Sequence, residues 1–199
     1  MKPFAIVRHR LADVPFTASP NTDGATIRPE AMVVHYTAGG EGAARWLADS
    51  RAGVSAHLTI SRTGEVTQLV PFTTKAWHAG RSEWQGRPHL NAWSIGIELE
   101  NWGWLTPDPR DEMAMITHTG ARIPFAHAIG GTHRNGGPWR WWERYPGAQV
   151  NVLVWVARAI CREYGIKTIL GHDDVSPGRK SDPGPAFPMA CFRPAVLGR

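Results

Sequence analysis

Apolar positions along this chain fall into short runs divided by Gly- and Pro-rich breaks, the pattern of a mixed α/β domain. Residues 1–30 carry Pro15, Pro20 and Pro29 and read as irregular. The run Ala31–Tyr36 is short, apolar and valine-bearing, which predicts a buried strand. Beyond Gly39 and Gly40, the positions of Ala43, Ala44, Trp46 and Leu47 predict a helix over 42–50. Residues 55–60 and 65–70 read as strands joined by the turn Arg62-Thr63-Gly64, together a hairpin. In SIGIELE, residues 94–100, alternation sends Ile95, Ile97 and Leu99 to one face and Gly96, Glu98 and Glu100 to the other. A helix is expected over 107–120, and an irregular stretch over 121–146. The clearest helix spans 148–164, where Val150, Leu153, Val154, Ala157, Ile160, Cys161 and Tyr164 form a stripe. Pro146 precedes it and Gly165 can end it. Residues 167–170 make a last strand that delivers His172 to its carboxyl end. The expected architecture is therefore a single α/β domain over 1–199, a central mixed β-sheet flanked by helices. Residues 101–147 would be an irregular excursion rich in Trp and Arg.

Composition narrows the classes of function. The chain has 199 residues, 42% of them hydrophobic and 20% charged, ordinary for a globular domain. No stretch approaches the roughly 18 apolar residues of a membrane span, so membrane insertion is not expected. The amino-terminal stretch has no long apolar run and no small-residue cleavage site. No signal peptide is read there, which implies synthesis in the cytoplasm. Cys161 and Cys191 then read as free thiols. The net charge of +5 favours polyanionic partners such as cell wall, but no Lys/Arg run or nucleic-acid motif stands out. Several of the ten tryptophans sit in polar, Gly-rich surroundings: Trp77, Trp84, Trp102, Trp104, Trp139, Trp141 and Trp142. There they could stack on sugar rings, line a groove or pack beneath loops.

Candidate chemistry concentrates in GHDDVSPGRKSDPGPAF, residues 171–187, which sets His172, Lys180 and Asp182 in the order His-x7-Lys-x-Asp. Together with His35 upstream, two imidazoles and one carboxylate make a zinc ligand set that leaves a fourth position open, as in catalytic sites. Taken singly, either histidine reads more readily as a hydrogen-bonded structural residue than as a ligand. Asp173 and Asp174 read as turn residues. His118, His127 and His133 match no ligand spacing.

The blocks VVHYTAGG, GVSAHLTISRTGEVTQLVPF, AWHAG, NAWSIGIELEN and GHDDVSPGRKSDPGPAF occur here in that order. With them the chain resembles the zinc-dependent N-acetylmuramoyl-L-alanine amidases, a family that includes phage lytic amidases and intracellular anhydro-muropeptide amidases and is related to peptidoglycan recognition proteins. The resemblance covers roughly residues 31–100 and 148–190. It implies a mixed sheet flanked by helices with Zn2+ in a surface groove. It assigns His35, His172 and Asp182 as metal ligands, Glu98 as the catalytic glutamate and Lys180 as the lysine beside the metal. The implied reaction is hydrolysis of the amide between the lactyl group of MurNAc and L-Ala, with Glu98 handling the proton and Lys180 facing the oxyanion. Tyr36, His57, Trp77, His78, Ala79 and Asn91 are the candidates for holding peptidoglycan or muropeptide, each with a structural role as the alternative.

Three roles follow. The basic charge and the long excursion favour a lytic, endolysin-like enzyme, released to the wall by a holin if phage-derived. A cytoplasmic amidase recycling anhydro-muropeptides is the near alternative. A non-catalytic peptidoglycan-binding module is the third, disfavoured because ligands, Glu98 and Lys180 are all present.

Overall fold

The computed structural model describes residues 4–198. In chain order the elements are β1 (Ile6–Val7), β2 (Arg10–Leu11), β3 (Ala31–Tyr36), α1 (Ala43–Leu47), β4 (Leu58–Ile60), β5 (Val66–Gln68), β6 (Glu83–Trp84), β7 (Arg87–Pro88) and β8 (Ser94–Leu99). There follow β9 (Trp104–Asp108), β10 (Asp111–Ile116), β11 (Arg122–Pro124), β12 (Ala128–Gly131), β13 (Arg140–Glu143), α2 (Gly147–Tyr164), β14 (Thr168–Gly171), α3 (His172–Val175) and α4 (Met189–Leu197).

The central sheet has the strand order β14-β3-β8-β4-β5. β14, β3, β8 and β4 are parallel, and β5 closes the edge antiparallel to β4. Because β3 lies inside a parallel sheet, both of its faces are covered, and its first five residues are all buried. Its alternate side chains enter different cores. Met32 and Val34 join Ile95, Ile97, Leu99, Leu58 and Ile60 beneath α2 and α4. Ala31 and Val33 join Leu90, Trp93, Leu170 and Val175 on the opposite face. His35 continues that second set, so the parity of the strand places it on the face away from α2.

Helix α2 buries Leu153, Val156, Ala157 and Ile160 against the sheet. Gly165, with φ +67°, ends it in a left-handed turn, and the Ile166 N–H returns to the Cys161 carbonyl at 3.0 Å. Helix α4 was not legible in the sequence; it packs Phe192 and Val196 into the same core. Cys161 is buried in α2 and Cys191 exposed on α4, both as free thiols. Among the described residues no helix is long and apolar enough to cross a membrane.

Residues 102–143 depart from expectation. They are neither a helix over 107–120 nor an irregular stretch, but a second, wholly antiparallel sheet in the order β11-β10-β9-β13-β12. A register shift between Asp111 and Met115 breaks the alternation of β10. It leaves Met113 exposed while Ala114 and Met115, side by side in sequence, are both buried. A bulge of this kind removes the period of two that would identify a strand. The second sheet holds its own small core of Leu105, Met115 and Ala128. It is tied to the central body by a bidentate pair: Arg62, in the turn between β4 and β5, donates to both Glu143 carboxylate oxygens at 2.8 Å.

Candidate metal centre and its groove

Strand register assembles the centre. β14 pairs with β3 so that Gly171 lies opposite Val34, which brings the next residue, His172, level with His35. On the other side of β3, His35 lies directly opposite Glu98 of β8. Asp182 returns from the loop after α3 and is held there by its own carbonyl, which accepts the Asp173 N–H at 2.7 Å.

The three candidate ligand atoms lie within contact of one another. His35 Nδ1 and His172 Nδ1 are 2.9 Å apart, and each approaches Asp182 Oδ2, at 3.0 and 2.9 Å. Among the described residues these three form the one group of His, Cys, Asp and Glu able to share an ion. The outer ring nitrogens decide whether the group fits a cation. His172 Nε2 faces the Ala79 carbonyl at 3.0 Å, and a carbonyl only accepts, so Nε2 carries the proton. His78 Nε2 faces the Ser94 carbonyl at 3.4 Å for the same reason. His78 Nδ1 is then an acceptor and takes the proton of His35 Nε2 at 3.0 Å. Both Nδ1 atoms therefore present lone pairs to a carboxylate oxygen. Three acceptors at such distances repel unless a cation sits among them, and imidazoles that ligate a metal usually donate their outer N–H to an acceptor, as these do to the Ala79 carbonyl and His78. Burial above all pushes the His35 pKa down to about 4, which keeps the ring neutral.

The cavity facing this centre has a volume of about 480 Å³. Tyr36, Trp77, His78, Glu98 and Lys180 line it with His172 and Asp182. Glu98 Oε2 is buried without a hydrogen-bond partner. Burial, then the Asp182 charge, raise the Glu98 pKa to about 8, against the pull of Lys180. Lys180 is exposed at the rim. Tyr36 shares a 2.7 Å hydrogen bond with the Ser181 hydroxyl, and burial pushes its pKa up to about 12. His78 serves the centre from behind as well as lining the cavity, and it rests on Gly96. A Cβ at Gly96 would stand 2.3 Å from the His78 ring, so the glycine of SIGIELE is a packing requirement of the site.

Three expected substrate contacts do not reach the cavity. His57 is fully buried; its Nε2 donates to the Thr74 carbonyl and its Nδ1 accepts the Gly96 N–H, both at 3.0 Å. Burial pushes its pKa down to about 4. Ala79 is buried and offers its carbonyl to His172. Asn91 Oδ1 accepts the N–H groups of His78 and Ala79, at 3.1 and 2.7 Å, and so fixes the turn that carries them.

Other residues that build the site were passed over or misread. Asp173, read as a turn residue, is buried and pairs with His133 at 3.1 Å, while Asn135 donates to its carbonyl at 2.8 Å. Asp174 bonds Arg134 and the Gly171 N–H, at 2.6 Å for the latter. Together they clamp the second sheet to the loop carrying Asp182. Glu100 Oε1 accepts the N–H groups of Gly42 and Ala43, at 2.9 and 3.2 Å, and so caps α1, which forms one wall of the cavity. A signal for Glu100 did exist: α1 begins without a Ser, Thr, Asp or Asn of its own to cap it.

Escherichia coli 1,6-anhydro-N-acetylmuramyl-L-alanine amidase AmpD is 39% identical over 145 residues, which take in 72% of this chain and 58% of that protein. The chain thus spans a little over half the length of the curated relatives it matches first. A crystal structure of an AmpD derivative superposes with a TM-score of 0.66 at 30% identity, covering 96% of this chain and 98% of that one. E. coli AmiD, solved as a complex with the substrate anhydro-N-acetylmuramic acid-L-Ala-D-γ-Glu-L-Lys, superposes at 0.64 and 28%, covering all of this chain and 68% of that one. The model of the N-acetylmuramoyl-L-alanine amidase family matches residues 25–185, a span that holds every candidate ligand of the centre together with Glu98 and Lys180, and to that family this chain belongs.

Proposed function

We propose that this protein is a zinc-dependent amidase that cleaves the bond between the lactyl carbonyl of an anhydro-muramyl sugar and the amino group of L-Ala. One observation carries the reading: an unpartnered Glu98 carboxylate stands in register with His35 beside three convergent lone pairs. Two imidazoles and a carboxylate are a zinc donor set. Zinc held by His35, His172 and Asp182 would supply a Lewis acid that polarises the scissile carbonyl and acidifies water near neutral pH.

The remaining work falls to the chain itself. Glu98, with its pKa raised to about 8, has the proton affinity to take a proton from the attacking water and return it to the departing L-Ala amine. Lys180, at the rim of the same cavity, brings positive charge to the oxyanion that forms on the lactyl carbonyl. Tyr36, neutral and held by Ser181, keeps a hydroxyl at the cavity wall. Trp77 adds an apolar surface.

Recycling of anhydro-muropeptides is better supported than the lytic role that charge and the excursion suggested. The relatives with 39% and 36% identity carry the 1,6-anhydro substrate in their names, and AmiD was solved with an anhydro-muramyl peptide. The excursion also loses its weight as a sign of wall lysis, since it is an ordered sheet clamped to the site rather than a loose extension.

Chromatography with mass detection on two substrates, soluble anhydro-muropeptide and intact peptidoglycan, tests the proposal. Free peptide beginning at L-Ala is expected from the fragment, and chelator should abolish it. Cleavage of polymer in preference to fragment would restore the lytic role. No cleavage of either by zinc-loaded protein would leave a binding module.

A further inference from the structure

A second cavity of about 360 Å³ lies beyond the catalytic groove and shares Arg179, Lys180 and Ser181 with it as a common wall. Its other side is the second sheet. Trp142 of β13 lies opposite Trp104 of β9, so both indoles stand on one face. Arg140, two residues from Trp142, shares that face, and its guanidinium lies 4.8 Å from the Trp104 ring centroid. Trp142 is buried and fixed by donating to the Gly131 carbonyl at 3.0 Å. These residues make a rigid aromatic floor with a guanidinium laid across it.

Charge separates the two cavities. The catalytic one sets Glu41, Glu98 and Asp182 against the shared Arg179 and Lys180. The second is lined by Arg140, Arg179 and Lys180 and by no carboxylate. Arg134, nearby, is committed to Asp173 and Asp174. Arg140 and Lys180 have no such acidic partner among the described residues. An uncompensated pair of cations above an aromatic floor suits a carboxylate attached to a short apolar chain.

We infer that this second cavity is a subsite for the stem peptide beyond L-Ala, in which Arg140 binds the free α-carboxylate of a γ-linked glutamyl residue. The inference rests on the proposed amidase function. An amide bond placed at the metal centre has the sugar on one side and the peptide on the other, and the wall the two cavities share, Arg179, Lys180 and Ser181, runs directly into Asp182 in the chain. A γ-linkage leaves the α-carboxylate of the glutamyl residue free, one residue past L-Ala. The catalytic cavity sets Glu41 and Asp182 against the shared cations, whereas the second adds Arg140 and no carboxylate, so the free carboxylate is drawn to Arg140. Arg140 is thereby a specificity residue contributed by the second sheet.

The test compares wild type, Arg140→Gln and Arg140→Lys on two substrates, anhydro-muramyl-L-Ala-γ-D-Glu-L-Lys and its analogue with the glutamyl α-carboxylate converted to carboxamide. Arg140→Gln should lower kcat/KM on the carboxylate substrate by about tenfold, mostly through KM, as for a lost charged hydrogen bond. The carboxamide should lose far less, and Arg140→Lys should recover part of the loss. Equal losses on the two substrates, or none, would overturn the subsite. So would a Trp104→Ala variant that loses equally on the full substrate and on anhydro-muramyl-L-Ala, since the cavity would then take the sugar. Should wild type hydrolyse neither substrate, the amidase reading fails by itself. Calorimetric titration of the tripeptide L-Ala-γ-D-Glu-L-Lys would still decide the subsite: weaker binding to Arg140→Gln supports it, and equal binding removes it.

Discussion

Glu98 and His57 are both polar groups held on the inner side of the sheet, and their partners give them opposite tasks. Glu98 has an oxygen with no partner and a pKa raised to about 8, so it is a group kept available. Glu98→Gln preserves the shape and removes the proton acceptor. Turnover should fall by about 10²- to 10⁴-fold while zinc content by elemental analysis stays at the wild-type level; loss of the metal would instead make Glu98 part of the ligand shell. His57 has both ring nitrogens satisfied and a pKa pushed down to about 4. An unfolded histidine takes a proton near its usual pKa, whereas the folded one resists until about 4. Its contribution is therefore complete above the unfolded pKa and is lost as pH falls through about 4. That linkage amounts to about 3 kcal/mol between pH 7 and pH 3. Urea titrations at pH 7, 5 and 4 should show a shallower loss in His57→Gln than in wild type; parallel curves would refute a neutral buried imidazole. The sequence singles out His57 as polar within an apolar strand but is silent on its partners, because the Thr74 carbonyl and Gly96 N–H reach it only through folding.

At the scale of elements, legibility followed the regularity of the apolar pattern. β3, β8, α2 and β14 stand where the apolar pattern put them, the three strands as short runs buried on both faces and α2 as a stripe along one side. β10 was read as helix because its bulge leaves Ala114 and Met115 both buried in succession. β12 and β13 were missed because their Gly, Trp and Arg content resembles a loop, although Ala128 and Glu143 bracket a regular four-residue ladder. The join between the two sheets is equally invisible in the chain. Arg62 and Glu143 lie 81 residues apart, and the Glu143 carboxylate is almost wholly buried beneath the guanidinium. Arg62→Ala strands that carboxylate and should destabilise the protein by about 3 kcal/mol, read from urea midpoints. Arg62→Lys should restore only part, because an ammonium cannot span both oxygens. A change under 1 kcal/mol, roughly that of a surface pair, would mean that the two sheets are held by something else.

Over the whole molecule, the proposed metal would be coupled to the fold. The candidate ligands come from β3, from the start of α3 and from the loop after it, and their converging lone pairs repel one another. A cation that binds only the folded form stabilises it by mass action, about 4 kcal/mol at a thousand times the dissociation constant. Chelated protein should melt several degrees below the zinc-loaded form, and added zinc should reverse the change; identical melting curves would argue against a metal at this centre. The residue types of the centre, their order and the strands that carry them were all determined by the sequence, because ligand chemistry belongs to side chains and strand periodicity to local patterning. Tertiary structure alone decided which candidates face the cavity, since facing depends on register and burial across strands distant in the chain. It also turned residues 102–143 from an excursion into a second sheet, and set Arg140 beside Lys180. Those contacts join segments dozens of residues apart, and no local period records them.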